Sequence, residues 1–302
     1  MNFPGSLDSR VDAAVVTLEK NGITAANRRI LSNGVRITFS DGSRNCGINF
    51  YYSKKKGFSV VPAGGDIHLS KIIRELLLPD APVMSYETWI GSDEAGKGDY
   101  MGPLTVAAVF ADRRLAEAYS GIGVTDSKML SNESVRNLAE KIRSISRGRF
   151  SIVSVSPEEY NAGFKELSKK GMNSLDLLAE CHAGAISELF NKKMIPQSII
   201  IDKFSNEKRI AYLLPEGDYR LELRVRGESD PAVAAASILA RDAYLEGLDS
   251  IFRKFGTRAV SGSGAKTDEV VRGFVERFGT NILNEIAKVH FRNTSKVLQR
   301  LL

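Results

Sequence analysis

Soft metal ligands are scarce in this chain of 302 residues, which has two cysteines and three histidines. Cys46 and Cys181 are too few and too far apart for a disulfide framework or a zinc site. That usage fits a reducing compartment, and the expected location is the cytoplasm. His68, His182 and His290 cannot build a histidine-rich centre. Any metal should therefore be held by oxygen, which points to magnesium or manganese. No apolar run approaches the ~20 residues that span a bilayer, so no membrane partner is expected. Met1 to Asp8 lacks the basic and apolar regions of a signal peptide. Internal repeats and low-complexity tracts are missing. No obvious heptad seam suggests self-association, so a monomer is expected.

What is present is an ordinary globular composition, 43% hydrophobic and 26% charged. The length allows a full core and two domains. Net charge is +6 and uneven. Residues 1–80 hold 11 Lys/Arg against 7 Asp/Glu, a balance of +4, which leaves +2 for the other 222 residues. A basic small domain beside a carboxylate-bearing larger one suits a polyanionic partner. Many soluble proteins share such a charge, so nucleic acid needs further support.

The hydrophobic pattern divides the chain. A short amphipathic helix is expected over residues 8–21, with Val11, Ala14, Val15 and Leu18 in phase. Strands are expected at Val35–Phe39, Asn45–Ser53 and Phe58–Pro62, then a helix over Ile67–Leu78. Residues 1–78 thus form a small α+β domain, residues 79–86 a linker with Pro79 and Pro82, and residues 87–302 a second domain. There, strands are expected before Gly91 and over Leu104–Phe110, Phe150–Val155, Gln197–Ile201 and Tyr219–Val225. Helices are expected over Glu133–Ser144 and Asn173–Lys193, with a long one from Pro231. Strands alternating with helices imply α/β architecture with a mixed sheet. In the helix of 173–193, His182 shares an apolar face and reads as a packed residue.

The densest chemistry is Gly91-Ser92-Asp93-Glu94-Ala95-Gly96-Lys97-Gly98-Asp99-Tyr100. Buried carboxylates this close repel unless a cation sits between them. The glycines let a backbone approach a ligand closely. Asp202 ends the apolar run Ser198–Ile201, where α/β sheets place their ligands; the alternative is a cap on the following turn. In Gly227-Glu228-Ser229-Asp230-Pro231, Asp230 reads as an N-cap before a proline at the first helical position. Glu228 then remains as a fourth carboxylate. Carboxylates from three separate segments make a site for two magnesium ions plausible. No nucleophilic serine or cysteine with a base stands out.

These residues resemble the type 2 ribonucleases H. Asp93-Glu94-Ala95-Gly96-Lys97-Gly98 is similar to that family's opening motif. Gly102-Pro103-Leu104, Thr125-Asp126-Ser127-Lys128, Asp202, Gly227-Glu228-Ser229 and Ala235–Arg241 follow in the family's order. Glu228, where ribonuclease HII usually has aspartate, resembles ribonuclease HIII. So do Gly98–Pro103, His290-Phe291-Arg292-Asn293-Thr294, and Ser261-Gly262-Ser263-Gly264 without the tyrosine that ribonuclease HII uses at an RNA–DNA junction. The order of elements in residues 1–78 is similar to that branch's N-terminal domain, which folds like half of a TATA-binding protein.

The resemblance implies a ribonuclease H fold and hydrolysis of RNA within an RNA/DNA hybrid, leaving 5′-phosphate and 3′-hydroxyl ends. It implies Asp93, Glu94, Asp202 and Glu228 as catalytic metal ligands, with two Mg2+ ions and Mn2+ as a substitute. Backbone groups of Gly96, Lys97 and Gly98 would read the ribose 2′-hydroxyl. Lys128 would reach a phosphate, or be an exposed lysine beside a turn. Asp99 has no expected metal role and would brace the loop. In the small domain, Tyr51, Lys54, Lys55 and Lys56, with Tyr52 and Phe58, mix aromatic and basic side chains on one hairpin. Such a mixture can contact phosphates and bases; the alternative is a solvated turn with sheet-packing aromatics. Two rivals remain: a ribonuclease HII-like enzyme acting at single ribonucleotides, and a non-enzymatic nucleic-acid-binding protein.

Overall fold

The computed structural model describes residues 6–31, 34–53, 57–77, 86–124 and 130–299. The chain forms two compact units, residues 1–85 and 86–302. The expected linker falls almost wholly within residues 78–85, outside the described residues.

The first unit runs α1 (Leu7–Glu19), β1 (Thr24–Leu31), β2 (Gly34–Ser40), β3 (Asn45–Ser53), β4 (Gly57–Gly65) and α2 (Ile67–Leu77). Its four strands pair antiparallel in chain order. Alternation sends Val35, Ile37 and Phe39 of β2, and Cys46, Ile48 and Phe50 of β3, to one buried face. Val11, Ala14 and Leu18 of α1 and Leu69, Ile73 and Leu77 of α2 complete that core. Strand β1 is an addition to the expected elements. It is exposed along nearly its whole length and so shows no apolar alternation. Pairing with β2 holds it, and Arg28 reaches Asp12 at 2.7 Å and Asp8 at 2.8 Å on α1.

The second unit is built on β5 (Thr88–Ala95), β6 (Leu104–Asp112), β7 (Phe150–Val155), β8 (Ser198–Asp202) and β9 (Arg220–Arg224). Their order is β7-β6-β5-β8-β9. Pairs β5–β6 and β6–β7 are antiparallel, and β5–β8 and β8–β9 are parallel. The mixed sheet is therefore present. Helices α3 (Arg113–Gly121) and α4 (Asn132–Ser146) follow β6. Helices α5 (Pro157–Lys169) and α6 (Ser174–Asn191) lie between β7 and β8, and α7 (Lys208–Ala211) follows β8. The long α8 (Pro231–Phe255) comes next, then α9 (Ala265–Phe278), α10 (Leu283–Ile286) and α11 (Arg292–Gln299).

Two helices sandwich the sheet's centre. On one face, Leu178, Ala185, Ile186 and Leu189 of α6 pack on Ile90, Val106, Ala108, Ile199 and Ile201. On the other, α8 comes so close to β5 that a Cβ at Gly91 would lie 2.3 Å from the Val233 nitrogen. Glycine is required there by backbone contact. Phe252 of α8 is 44% exposed. No helix among the described residues is long and apolar enough to cross a membrane.

Candidate active site

Strand β5 continues through both carboxylates to Ala95, and the turn begins only at Gly96. Side chains on a strand alternate between faces. Asp93 therefore falls on the α8 face, where the Ser237 hydroxyl bonds it. Glu94 falls on the α6 face, where it meets His182. The register continues to β8: Ser92 pairs with Ile201, so Asp93 and Asp202 are neighbours at the carboxyl ends of two parallel strands. The Gly227 N–H donates to Asp202 Oδ1 at 2.8 Å, which brings the Glu228 segment to the same edge.

The electrostatics of the two adjacent carboxylates diverge. Asp93 is 7% exposed. Burial first, then the charges of Glu94 and Asp202, push its carboxyl well above the usual range. Burial also opposes the charge of Glu94, but His182 and Lys97 outweigh it and hold Glu94 below the usual range. Lys97 Nζ donates to Glu94 Oε1 at 3.2 Å and stands over the Phe204 ring at 5.7 Å. His182 Nε2 lies 3.2 Å from Glu94 Oε2. Both oxygens of Glu94 are thus turned to protein partners. Among the described residues, no three His, Cys, Asp or Glu side chains converge into a group that could hold a metal ion. Alternation along β5 and the pull of Lys97 and His182 turn Glu94 away from Asp93.

Asp230 is the N-cap of α8, as its sequence context implies. Its Oδ1 accepts from Ala232 N at 2.9 Å and Val233 N at 3.2 Å. It also accepts from the buried Trp89 Nε1 at 3.0 Å, tying β5 to the start of α8.

The glycine turn divides into two kinds of position. Gly96 has φ +83°, and a Cβ there would lie 2.2 Å from the Pro103 carbonyl oxygen. Gly98 has no such φ, and nothing lies within 4 Å of where its Cβ would be. The loop is braced from the far end of the unit. Asp99 Oδ1 accepts from the Gly262 N–H, and Tyr100 N donates to Gly262 O at 3.0 Å. Tyr100 Oη bonds Thr294 Oγ1 at 2.8 Å. Lys288 is fully buried and donates to the carbonyls of Asp99 at 2.9 Å and Gly102 at 2.7 Å. The stretch at 261–264 therefore holds the loop through the Asp99 side chain and the Tyr100 amide, and that at 290–294 holds it through the Tyr100 hydroxyl.

Burial pushes the Lys288 ammonium down from 10.5 to about 7. Between those values the unfolded chain carries a proton that the folded chain lacks. Stability should therefore rise with pH across that window, by about 2 kcal/mol between pH 7 and 9. Urea unfolding of the wild type and Lys288→Met at both pH values checks this. The gain should vanish in the variant, and equal gains in both would refute the assignment.

Lys128 lies outside the described residues, as do Lys54, Lys55 and Lys56. Tyr51 lies on the sheet face opposite Phe50 and the α1–α2 core, and its ring would meet a Cβ on Gly34 at 2.6 Å. Its row also holds Asn49, paired with Arg36, which pairs with Arg29. Tyr52 falls on the helix side under Arg10, 4.0 Å from its ring centre. Ser92, Ser237, Phe204 and Lys288 carry no expected role in the sequence, and His182, expected to pack, also reaches Glu94. Histidine at mid-helix offers no spacing signal that it reaches a carboxylate on a strand.

The family model described as ribonuclease HII matches residues 90–294. Ribonuclease HIII of Protochlamydia amoebophila (strain UWE25) is 35% identical over 214 residues, covering 70% of this chain and 69% of that protein. Ribonuclease HIII of Bacillus mycoides (strain KBAB4) is 35% identical over 219 residues, covering 70% and 68%. The crystal structure of Bst-RNase HIII in complex with Mn2+ is similar at a TM-score of 0.67 and 26% identity, covering 96% of this chain and 95% of that one. The chain belongs to the type 2 ribonuclease H family, in its ribonuclease HIII branch.

Proposed function

We propose that this protein is a metal-dependent endoribonuclease that hydrolyses the RNA strand of RNA/DNA hybrids, leaving 5′-phosphate and 3′-hydroxyl ends. The observation that carries the reading is the β5–β8 register, which makes Asp93 and Asp202 neighbours beside the glycine turn. A buried aspartate pressed by two further carboxylates suits a hard divalent cation, which relieves the repulsion. Asp93 and Asp202, with Glu94 and Glu228 from the same edge, would hold Mg2+ or Mn2+. When bound, two such ions would activate the attacking water and neutralise charge on the leaving oxygen.

The chain's own residues supply position. Backbone groups of Gly96, Lys97 and Gly98 would read the ribose 2′-hydroxyl, which separates RNA from DNA. Lys97, 40% exposed, would add a phosphate contact. Lys128 would supply a second phosphate contact. The test is a cleavage gel on a uniform RNA/DNA hybrid with Mg2+ or Mn2+. Cuts at many positions are expected, with weaker cutting of duplex DNA holding one ribonucleotide. Cutting confined to the single ribonucleotide would favour the junction enzyme. Metal-independent binding without turnover would favour a binding protein.

The first unit would grip the duplex with its basic hairpin, Lys54, Lys55 and Lys56, and with Tyr51. Removing residues 1–80 should weaken hybrid binding about tenfold or more near 0.1 M salt. It should also flatten the dependence of log K on log salt, since each lost phosphate contact removes about 0.9 from the slope on B-form duplex. Filter binding across a salt series reads both. An unchanged slope would mean the unit has another role.

A further inference from the structure

We infer that His182 is a positioning residue for Glu94, fixing which of the two carboxylate oxygens is available to a cation. The inference rests on the functional reading above and extends it to a residue outside the carboxylate set. His182 is on α6 and wholly buried. An ionised carboxylate can only accept, so the Nε2–H of His182 donates to Glu94 Oε2 at 3.2 Å. The opposite ring nitrogen, Nδ1, stands 2.8 Å from Ser92 Oγ. Ser92 is itself fixed: it is buried on β5 and its hydroxyl reaches the Ala107 carbonyl of β6 at 2.8 Å. Phe204 closes the ring's flank, with centroids 4.9 Å apart and planes 5° from parallel. The imidazole is therefore held at both nitrogens and on a face.

The two partners of Glu94 are unlike each other. His182 is rigid and inaccessible to solvent, so Oε2 is committed. Lys97 is 40% exposed on a long flexible stem, so its hold on Oε1 is exchangeable. A cation entering this edge would compete with Lys97 for Oε1 while His182 kept Oε2 in place. Orienting partners of this kind change metal affinity or activity by about 10–100-fold when removed. A histidine with a packing role alone would have no such effect.

The experiment compares the full chain as wild type, His182→Leu, His182→Gln and Ser92→Ala. Leucine keeps the apolar contact with Phe204 and loses the donor. Glutamine restores an N–H near the position of Nε2. Mn2+ binding without substrate is read from the loss of the free-ion EPR signal, with thermal unfolding measured alongside. Mn2+ affinity is expected to fall about tenfold or more in His182→Leu, with a smaller loss in His182→Gln and Ser92→Ala. On a uniform hybrid, kcat should fall in His182→Leu with KM for the hybrid little changed. Wild-type Mn2+ affinity in His182→Leu, or no recovery in His182→Gln, overturns the inference. If His182→Leu does not fold, Ser92→Ala carries the test, and its binding Mn2+ like the wild type overturns the inference. A wild type that binds Mn2+ but cuts no hybrid overturns the functional reading alone, because the binding comparison still decides the role of His182. A wild type that binds no Mn2+ overturns both.

Discussion

Asp93→Asn should abolish hybrid cleavage, with a loss of about a thousandfold or more, while the protein stays folded and still binds the hybrid. That scale is typical of removing a group that acts on charge developing in the transition state. Asparagine matches the shape of aspartate and leaves the Ser237 contact possible. Its effect on folding should run the other way. Burial and the charges of Glu94 and Asp202 raise the Asp93 carboxyl, so the folded state holds a proton that the unfolded chain releases. Such a group costs stability as pH rises from the ordinary aspartate range through its folded value. At neutral pH without metal, Asp93→Asn should therefore melt at the same temperature as the wild type or higher. Loss of activity with a matching loss of stability would indicate a structural residue. Full activity would sink the site.

Two single methyl groups in the glycine turn should give opposite results. Gly96→Ala places a Cβ 2.2 Å from a carbonyl oxygen at φ +83°, so the loop cannot keep its path. It should lose both stability, by about 2 kcal/mol or more, and activity. Gly98→Ala meets nothing within 4 Å and needs no left-handed backbone. Its melting temperature should match or slightly exceed the wild type, since alanine restricts the unfolded chain. If the Gly98 backbone meets the substrate, hybrid cleavage should still fall, by about tenfold or more. Thermal melts beside single-turnover cleavage separate the two cases. Wild-type cleavage by Gly98→Ala would mean no substrate approaches that point.

Much of the site could be read from residues alone because its parts are local. Asp93, Glu94 and the glycines are contiguous, Asp202 ends an apolar strand, and Asp230 precedes a proline. Other features depend on pairing across distance. That β5 and β8 are neighbours, in the register that joins Asp93 to Asp202, follows from sheet order. That Glu94 turns toward α6 follows from strand phase, once β5 is known to run through Ala95. Strand β1 shows no strand signal because an exposed edge strand has no buried face to print a pattern on its sequence. Helix α5 opens on Ser156 and Glu159, a reciprocal capping box, which apolar spacing alone does not reveal. Lys288 carries no local signal, because its partners are backbone carbonyls 186 and 189 residues earlier.

That separation bears on how the protein is made. The ribosome completes the carboxylates of β5 early, but the amine that holds the Asp99 carbonyl is translated 189 residues later. At about 5–20 residues per second, the interval is roughly ten to forty seconds. Until then the glycine turn lacks its Lys288 bonds, so the loop between β5 and β6 gains its full set of backbone partners only after residue 288 is made.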